Sequence, residues 1–289
     1  MTSDGGATKP LPVVLAPVTD ELLSSWIARH AAFYGVVPLT MLRHGIPDAS
    51  SLRAIDTTPT PEQANLLAHL FRCEPADIRR MTFADLSKGA GRLVAAKSIQ
   101  RCSTCAAKNE EAGSESAILR SWLQAWRVTC PICSERLSTV GEGGFPGADF
   151  GSPFGHLWND ALRGERLVDD AAERGIWTWA QPIDIVRLLL IRRDPKPIDP
   201  ERWIAKPRLL DVVIPGLDRF LAEQGTAIPT ATKLIMQMSL RPALLAGVAV
   251  VERSGPSIVA DLHSRTIGAY HSQFGIIAAS MLSKRRPNV

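Results

Sequence analysis

No apolar run in this 289-residue sequence approaches the ~20 residues needed to cross a bilayer. The longest, Leu244–Val251 and Ile185–Ile191, have the length of ordinary core helices. Met1–Pro10 (MTSDGGATKP) lacks the charged-then-apolar pattern of an export signal, which argues against an oxidising compartment and against disulfides. The expectation is a soluble, cytoplasmic protein.

Signatures of catalysis are equally scarce. His30, His44, His69, His156, His263 and His271 are scattered, with no His-Glu-x-x-His pair and no nucleophile elbow. The adjacent carboxylates Glu110-Glu111 and Asp169-Asp170 have no companion motif and read as solvated surface. No acidic triad suited to two-metal phosphoryl transfer stands out. Gly141–Gly155 (GEGGFPGADFGSPFG) is rich in glycine but lacks the Gly-x-x-x-x-Gly-Lys-Ser/Thr of a phosphate loop. The sequence thus predicts a protein that is not an enzyme. Strongly alternating strand patterns and fixed-period repeats are also missing. A net charge of +4 permits contact with nucleic acid without demanding it. The local basic spots Arg79-Arg80, Arg192-Arg193 and Lys284-Arg285-Arg286 suit a solvated surface as well as a phosphate contact.

What the chain does have is a cysteine pattern. Four of its five cysteines form two Cys-x-x-Cys pairs, Cys102/Cys105 and Cys130/Cys133. Each pair supplies two thiolates from one tight knuckle, and together they complete a tetrahedral shell for Zn2+. A catalytic zinc keeps a position open for water, so four protein ligands predict a structural ion, one per chain. Cys73 stands alone and reads as a small packed hydrophobe.

The pattern along the chain is helical. Leu22, Leu23, Trp26, Ile27 and Ala31 recur at helical spacing, ended by Gly35 and Pro38; a short helix over Pro38–His44 and a loop through Thr58 follow. Thr60-Pro61-Glu62-Gln63 is the strongest helix start, with a capping residue, a first-turn proline and a capping-box partner. The apolar stripe Ala64, Leu67, Ala68, Phe71, a break at Arg72–Pro75 and a second helix over Ala76–Met81 describe a helix-turn-helix. Its second helix would offer Arg79, Arg80 and Asp77 to DNA, and a packed hairpin or protein-docking surface fits the same pattern. Between the knuckles, Ile118, Leu119, Trp122, Leu123 and Trp126 predict an amphipathic helix over Ser116–Arg127. Its tryptophans belong to the core, and Arg120, Gln124 and Arg127 lie elsewhere on its surface. Further helices are expected over Pro153–Arg163, Pro182–Arg193, Pro207–Gln224, Thr230–Ser239, Pro242–Glu252, Pro256–Ile267 and His271–Lys284. The expected architecture is mostly α: a disordered N-terminus (1–16), a helical helix-turn-helix region (17–90), a zinc-knuckle module (91–140), a Gly/Pro-rich linker (141–155) and a helical C-terminal domain (156–289).

The stretch Pro17-Val18-Thr19-Asp20-Glu21-Leu22-Leu23-Ser24-Ser25-Trp26-Ile27-Ala28-Arg29 resembles the opening of the TniQ family, transposon-encoded proteins related to the TnsD target selectors. The hairpin ending Ile78–Phe83 is similar to the family's next block, and the knuckles follow in the expected order, with Trp122 between them. One departure is Cys133, where the family commonly carries histidine. The resemblance implies a non-enzymatic adaptor that works with a TniB/TnsC-like AAA+ ATPase and a separate transposase. It further implies binding to DNA or to a CRISPR effector complex, and in some members a homodimer. Gln63, Asp77, Arg79 and Arg80 are then the candidates for DNA or partner contact, with Arg120 and Arg127 as further phosphate contacts. A helix-turn-helix transcription regulator and, more remotely, a nuclease are the rival readings.

Overall fold

The computed structural model describes residues 9–87, 89–140, 155–193, 207–223 and 240–283, together with Thr230, Ala231, Leu234 and Met238. The described residues are mostly helical, and among them strand is limited to Gln100–Arg101 and Ser138–Thr139. None of their helices is long and apolar enough to cross a membrane. The chain forms two compact units. One contains the described residues up to Asp85, Ala96–Gln124 and Cys130–Glu135; the other contains Leu86–Ala95, Ala125–Thr129 and the described residues from Arg136 onward.

In the first unit α1 (Leu23–Phe33) buries the predicted face through Leu23, Trp26, Ile27 and Ala31. It ends at Gly35, whose φ of 66° lies in the left-handed region that glycine tolerates. α2 (Pro38–Gly45) follows, then α3 (Leu52–Thr57), where a loop was expected; Ser51 starts α3 by accepting the Ala54 N–H at 3.1 Å. α4 (Pro61–Phe71) has the full capping box: Thr60 Oγ1 accepts the Gln63 N–H at 3.2 Å, and Gln63 Oε1 accepts the Thr60 N–H at 3.0 Å. Arg72, in the left-handed conformation, ends α4 before α5 (Pro75–Arg80). Leu42, Leu67, Leu70, Phe71 and Ile78 complete this core, and Cys73 packs against it, half-buried.

Residues 9–16, expected to be part of a disordered N-terminus, run extended along this core instead. Leu11 is buried and donates its N–H to Leu70 O at 2.9 Å. The Tyr34 hydroxyl bonds both the N–H and the carbonyl of Val13, and Leu15 N–H donates to His30 Nε2 at 3.0 Å. Nothing local in residues 9–16 (KPLPVVLA) announces these partners, which lie on α1, just after it at Tyr34, and on α4. Burial lowers the pKa of His30, favouring the neutral ring that accepts this bond.

Asp56, at the end of α3, is buried and accepts the Ser24 N–H at 2.9 Å, so it satisfies an orphan donor in the first turn of α1. Burial pushes its carboxyl up to about 6. We expect Asp56→Ala to cost about 1–2 kcal/mol in urea denaturation. Asp56→Asn keeps an acceptor and should lose clearly less; equal losses for the two variants would show that the cap is not what stabilises α1.

The helix expected over Ser116–Arg127 does not form. Only Arg120–Trp122 makes a 3-10 turn, and every residue from Ser121 to Val128 is buried. The module's helix is α6 (Ser103–Glu111), which begins inside the first knuckle. In the first unit, Asp20 takes the Arg120 N–H on its carbonyl (2.7 Å) and the Ser121 N–H on its carboxylate (3.0 Å). Gln100 Nε2 donates to the carbonyls of Ser121 (2.7 Å) and Gln124 (2.9 Å). With its backbone groups taken by distant partners, the segment has no need of helical bonds. Trp122 and Trp126 are core residues, as expected.

The second unit is built on α11 (Arg241–Ser254), buried along almost its whole length. α7 (Trp158–Asp169) packs against it and ends through a π turn, Asp170–Arg174, at Gly175. α8 (Pro182–Leu189), α9 (Leu210–Val213), α10 (Leu217–Glu223), α12 (Ile258–Ser264) and α13 (Gly268–Ser283) complete it. The single helix expected over Pro207–Gln224 is two, broken at Ile214-Pro215-Gly216. Glycine-rich residues 141–154, most of the helix expected over Thr230–Ser239 and the tail Lys284–Arg286 lie outside the described residues.

Candidate metal centre and helical hairpin

The first knuckle is a helix start. Cys102 occupies the N-cap of α6, and its Sγ accepts the N–H of Cys105 at 3.5 Å. The second is a tight turn in which Cys130 O accepts the Ser134 N–H (2.9 Å) and Cys130 N–H donates to Glu135 O (2.8 Å). Closing it puts Ser134 in the left-handed region at φ 64°.

The two knuckles bring four sulfurs to one point. Cys102 Sγ lies 3.4 Å from Cys133 Sγ, and Cys105 Sγ lies 3.6 Å from Cys130 Sγ and 3.7 Å from Cys133 Sγ. Disulfide sulfurs sit at about 2.05 Å, so these thiols are unbonded. A zinc–thiolate bond of about 2.3 Å implies an S–S edge of about 3.8 Å in a regular tetrahedron, close to the spacing here. The donor set therefore fits a divalent soft cation, with Cys102, Cys105 and Cys130 buried and Cys133 half-buried. Burial pushes the Cys102 thiol up to about 11 and raises Cys105 as well. At Cys133 burial also acts upward, but the Glu135 N–H and the neighbouring thiols outweigh it, and the net direction is down. A bound cation supplies the positive charge that holds all four as thiolates.

α4 and α5 form a helical hairpin whose break is three residues, Arg72–Glu74, because Pro75 already belongs to α5. Arg79 and Arg80 keep 48% and 74% of their side chains exposed, paired with Asp85 and Asp77 respectively. Asp77 also accepts the Glu74 N–H at 3.2 Å, and Gln63 serves the capping box. Arg120 and Arg127 do not fit the expected role of phosphate contacts. Arg120 donates to Thr82 O at 2.9 Å, faces Asp20 at 3.6 Å and stacks its guanidinium 5.3 Å from the Phe83 ring centre. Arg127 is 8% exposed and ion-paired with Asp169. The missing helix explains both, since these side chains have no outer helical face to occupy. Asp169 is likewise no free surface carboxylate, because it also accepts from Trp126 Nε1 at 3.2 Å.

Residues 12–137, which contain the Pro17–Arg29 opening, the hairpin and both knuckles, match the family described as TniQ. This segment belongs to the TniQ family. Neither a curated protein nor a solved structure matches the chain.

The TniQ opening works as a buried clamp. Glu21 accepts from the Val18 N–H (2.9 Å) and Ser25 Oγ (3.1 Å) and pairs with Arg29 at 2.7 Å. Ser25 Oγ accepts the Ile118 N–H at 2.8 Å, and Arg29 reaches Ser114 Oγ at 2.9 Å. Burial raises the Glu21 pKa, opposed by the Val18 N–H and by the charge of Arg29. Beside this clamp a groove of about 590 Å3 is lined by Leu15, Val18, Trp26, Cys73, Asp77 and Arg80 among others. These opening residues stand out in the sequence as a family signature, and no local pattern announces the buried network they form.

Proposed function

We propose that this protein is a zinc-stabilised, non-enzymatic adaptor for transposon target selection, joining a target to an AAA+ ATPase and a transposase. Cys102, Cys105, Cys130 and Cys133 hold one zinc ion as a scaffold. The α4–α5 hairpin contacts DNA or a protein partner through Arg79 and Arg80, with the adjoining groove as further contact surface. The TniQ match over residues 12–137 carries this reading. The convergence of the four sulfurs supports the zinc, and the exposure of Arg79 and Arg80 supports the hairpin's role.

An adaptor binds duplex DNA weakly and salt-dependently alone and tightens with the ATPase; a regulator binds one defined duplex tightly by itself. Electrophoretic shifts at two salt concentrations, with and without the ATPase, separate the two. We expect the Arg79→Ala/Arg80→Ala variant to keep its fold and lose about tenfold in complex formation. Undiminished complex formation would remove the hairpin from the proposal, and metal-dependent nicking of DNA would replace the adaptor with an enzyme.

A further inference from the structure

The adaptor reading leaves open what the groove beside the Glu21 clamp receives. Its lining runs from the extended segment Val14–Val18 to Cys73 and the α5 residues Asp77 and Arg80, all within the first unit. The buried lining residues Trp26, Phe71 and Met81 form an apolar floor, with the Trp26 and Phe71 ring centres 4.6 Å apart. Arg72 and Arg80 are exposed and stand at the rim. At about 590 Å3 the groove falls within the ~300–1,000 Å3 of sites that enclose a ligand.

Resting on the adaptor reading, we propose that this groove docks a short segment of a partner protein, seating an apolar side chain on Trp26, Phe71 and Met81 and a carboxylate against Arg72.

Charge selects this occupant. Of the charged residues in the lining, Asp20, Glu21, Arg72, Asp77 and Arg80, all but one are already matched. Glu21 pairs with Arg29 at 2.7 Å, Asp20 faces Arg120 at 3.6 Å, and Asp77 pairs with Arg80. Arg72, held in the left-handed conformation that ends α4, makes no ion pair among the described residues. A single carboxylate answers it. A phosphodiester backbone suits the groove poorly, because Asp20, Glu21 and Asp77 outnumber the two arginines of the lining. Nor does the floor offer a donor, since Trp26 Nε1 is taken by Leu15 O at 2.9 Å. Cys73 extends the apolar surface: burial pushes its thiol up to about 11, with the charges of Asp77 and Glu74 acting the same way, so it stays neutral. An exposed ion pair alone is worth little, so the buried apolar side chain supplies the affinity and the carboxylate sets the register.

The test is selection of a displayed library of short random peptides on the full zinc-loaded chain, followed by titration of the synthetic consensus peptide by fluorescence anisotropy. The consensus is expected to carry a large apolar residue with Asp or Glu close by. Replacing its apolar residue by alanine should weaken binding about tenfold or more. Arg72→Glu lies at an exposed position and should keep the wild-type melting temperature while weakening binding about fivefold. A peptide carrying lysine in place of the carboxylate should regain that loss on the variant. The titration uses neither ATPase nor DNA, so its failure is distinguishable from failure of the adaptor reading, which the electrophoretic shifts report. A folded wild type that enriches no binding peptide, an Arg72→Glu variant that binds the consensus as tightly as wild type, or a short DNA duplex that displaces the peptide overturns the proposal.

Discussion

Cys130→Ser is expected to abolish zinc binding and to leave the first unit susceptible to protease at concentrations the wild type resists. Zinc binding to four thiolates is worth about 10–16 kcal/mol in small peptides at neutral pH, more than most domains have in total stability. Cys130 is 1% exposed and one of four donors, so the variant loses the tetrahedral shell and leaves two buried thiols and one half-buried thiol without a cation. Metal analysis should give one zinc per wild-type chain and none in the variant. Cys73→Ser is the matched control: it packs against the unit's core away from the four-sulfur cluster and should keep the zinc. Reduced, metal-free protein with unchanged circular dichroism and protease resistance would remove the ion from any structural role.

Gly164→Ala should destabilise the second unit by about 3 kcal/mol or more, at the upper end of what overpacking costs. A Cβ at this position would lie 1.9 Å from the carbonyl oxygen and 2.5 Å from the carbonyl carbon of Leu245. Those are backbone atoms of α11, so relief requires α7 and α11 to move apart as rigid bodies. Gly247→Ala is the informative contrast. Its Cβ would meet only the Cδ1 atoms of Leu210 (2.7 Å) and Leu189 (3.0 Å), which can rotate away. Its cost should stay near 1 kcal/mol by thermal or urea denaturation. Equal losses at the two glycines would mean that the α7–α11 approach is looser than described.

The features legible in the sequence were those with local causes. The knuckles follow from cysteine spacing, the start of α4 from Thr60-Pro61-Glu62-Gln63, and the buried face of α1 from its helical repeat. The stretch 116–127 misled because burial on every side scatters apolar residues in a way that imitates a helical stripe. Nothing nearby in sequence announces its partners, Asp20 and Gln100, and with the helix went the outward positions of Gln124 and Arg127. The second unit has the same character. Glu165 on α7 accepts from the Val128 and Thr129 N–H groups at 2.9 and 3.0 Å, and Arg241, fully buried, donates to Arg127 O at 2.6 Å. Lone charged residues in helical text look like surface; only the packed chain shows these two as interior.

The hydrogen bond from Ser121 N–H to the Asp20 carboxylate also has a consequence in time. Its two ends are 101 residues apart in the chain. At ribosomal speeds of about 5–20 residues per second, roughly 5–20 s pass between making the first partner and making the second. The sulfurs at 130 and 133 emerge later still. The earliest helices of the nascent chain therefore wait, with Asp20 and Ser25 still lacking the N–H groups of Ser121 and Ile118, and metal capture becomes the closing event of the unit's birth.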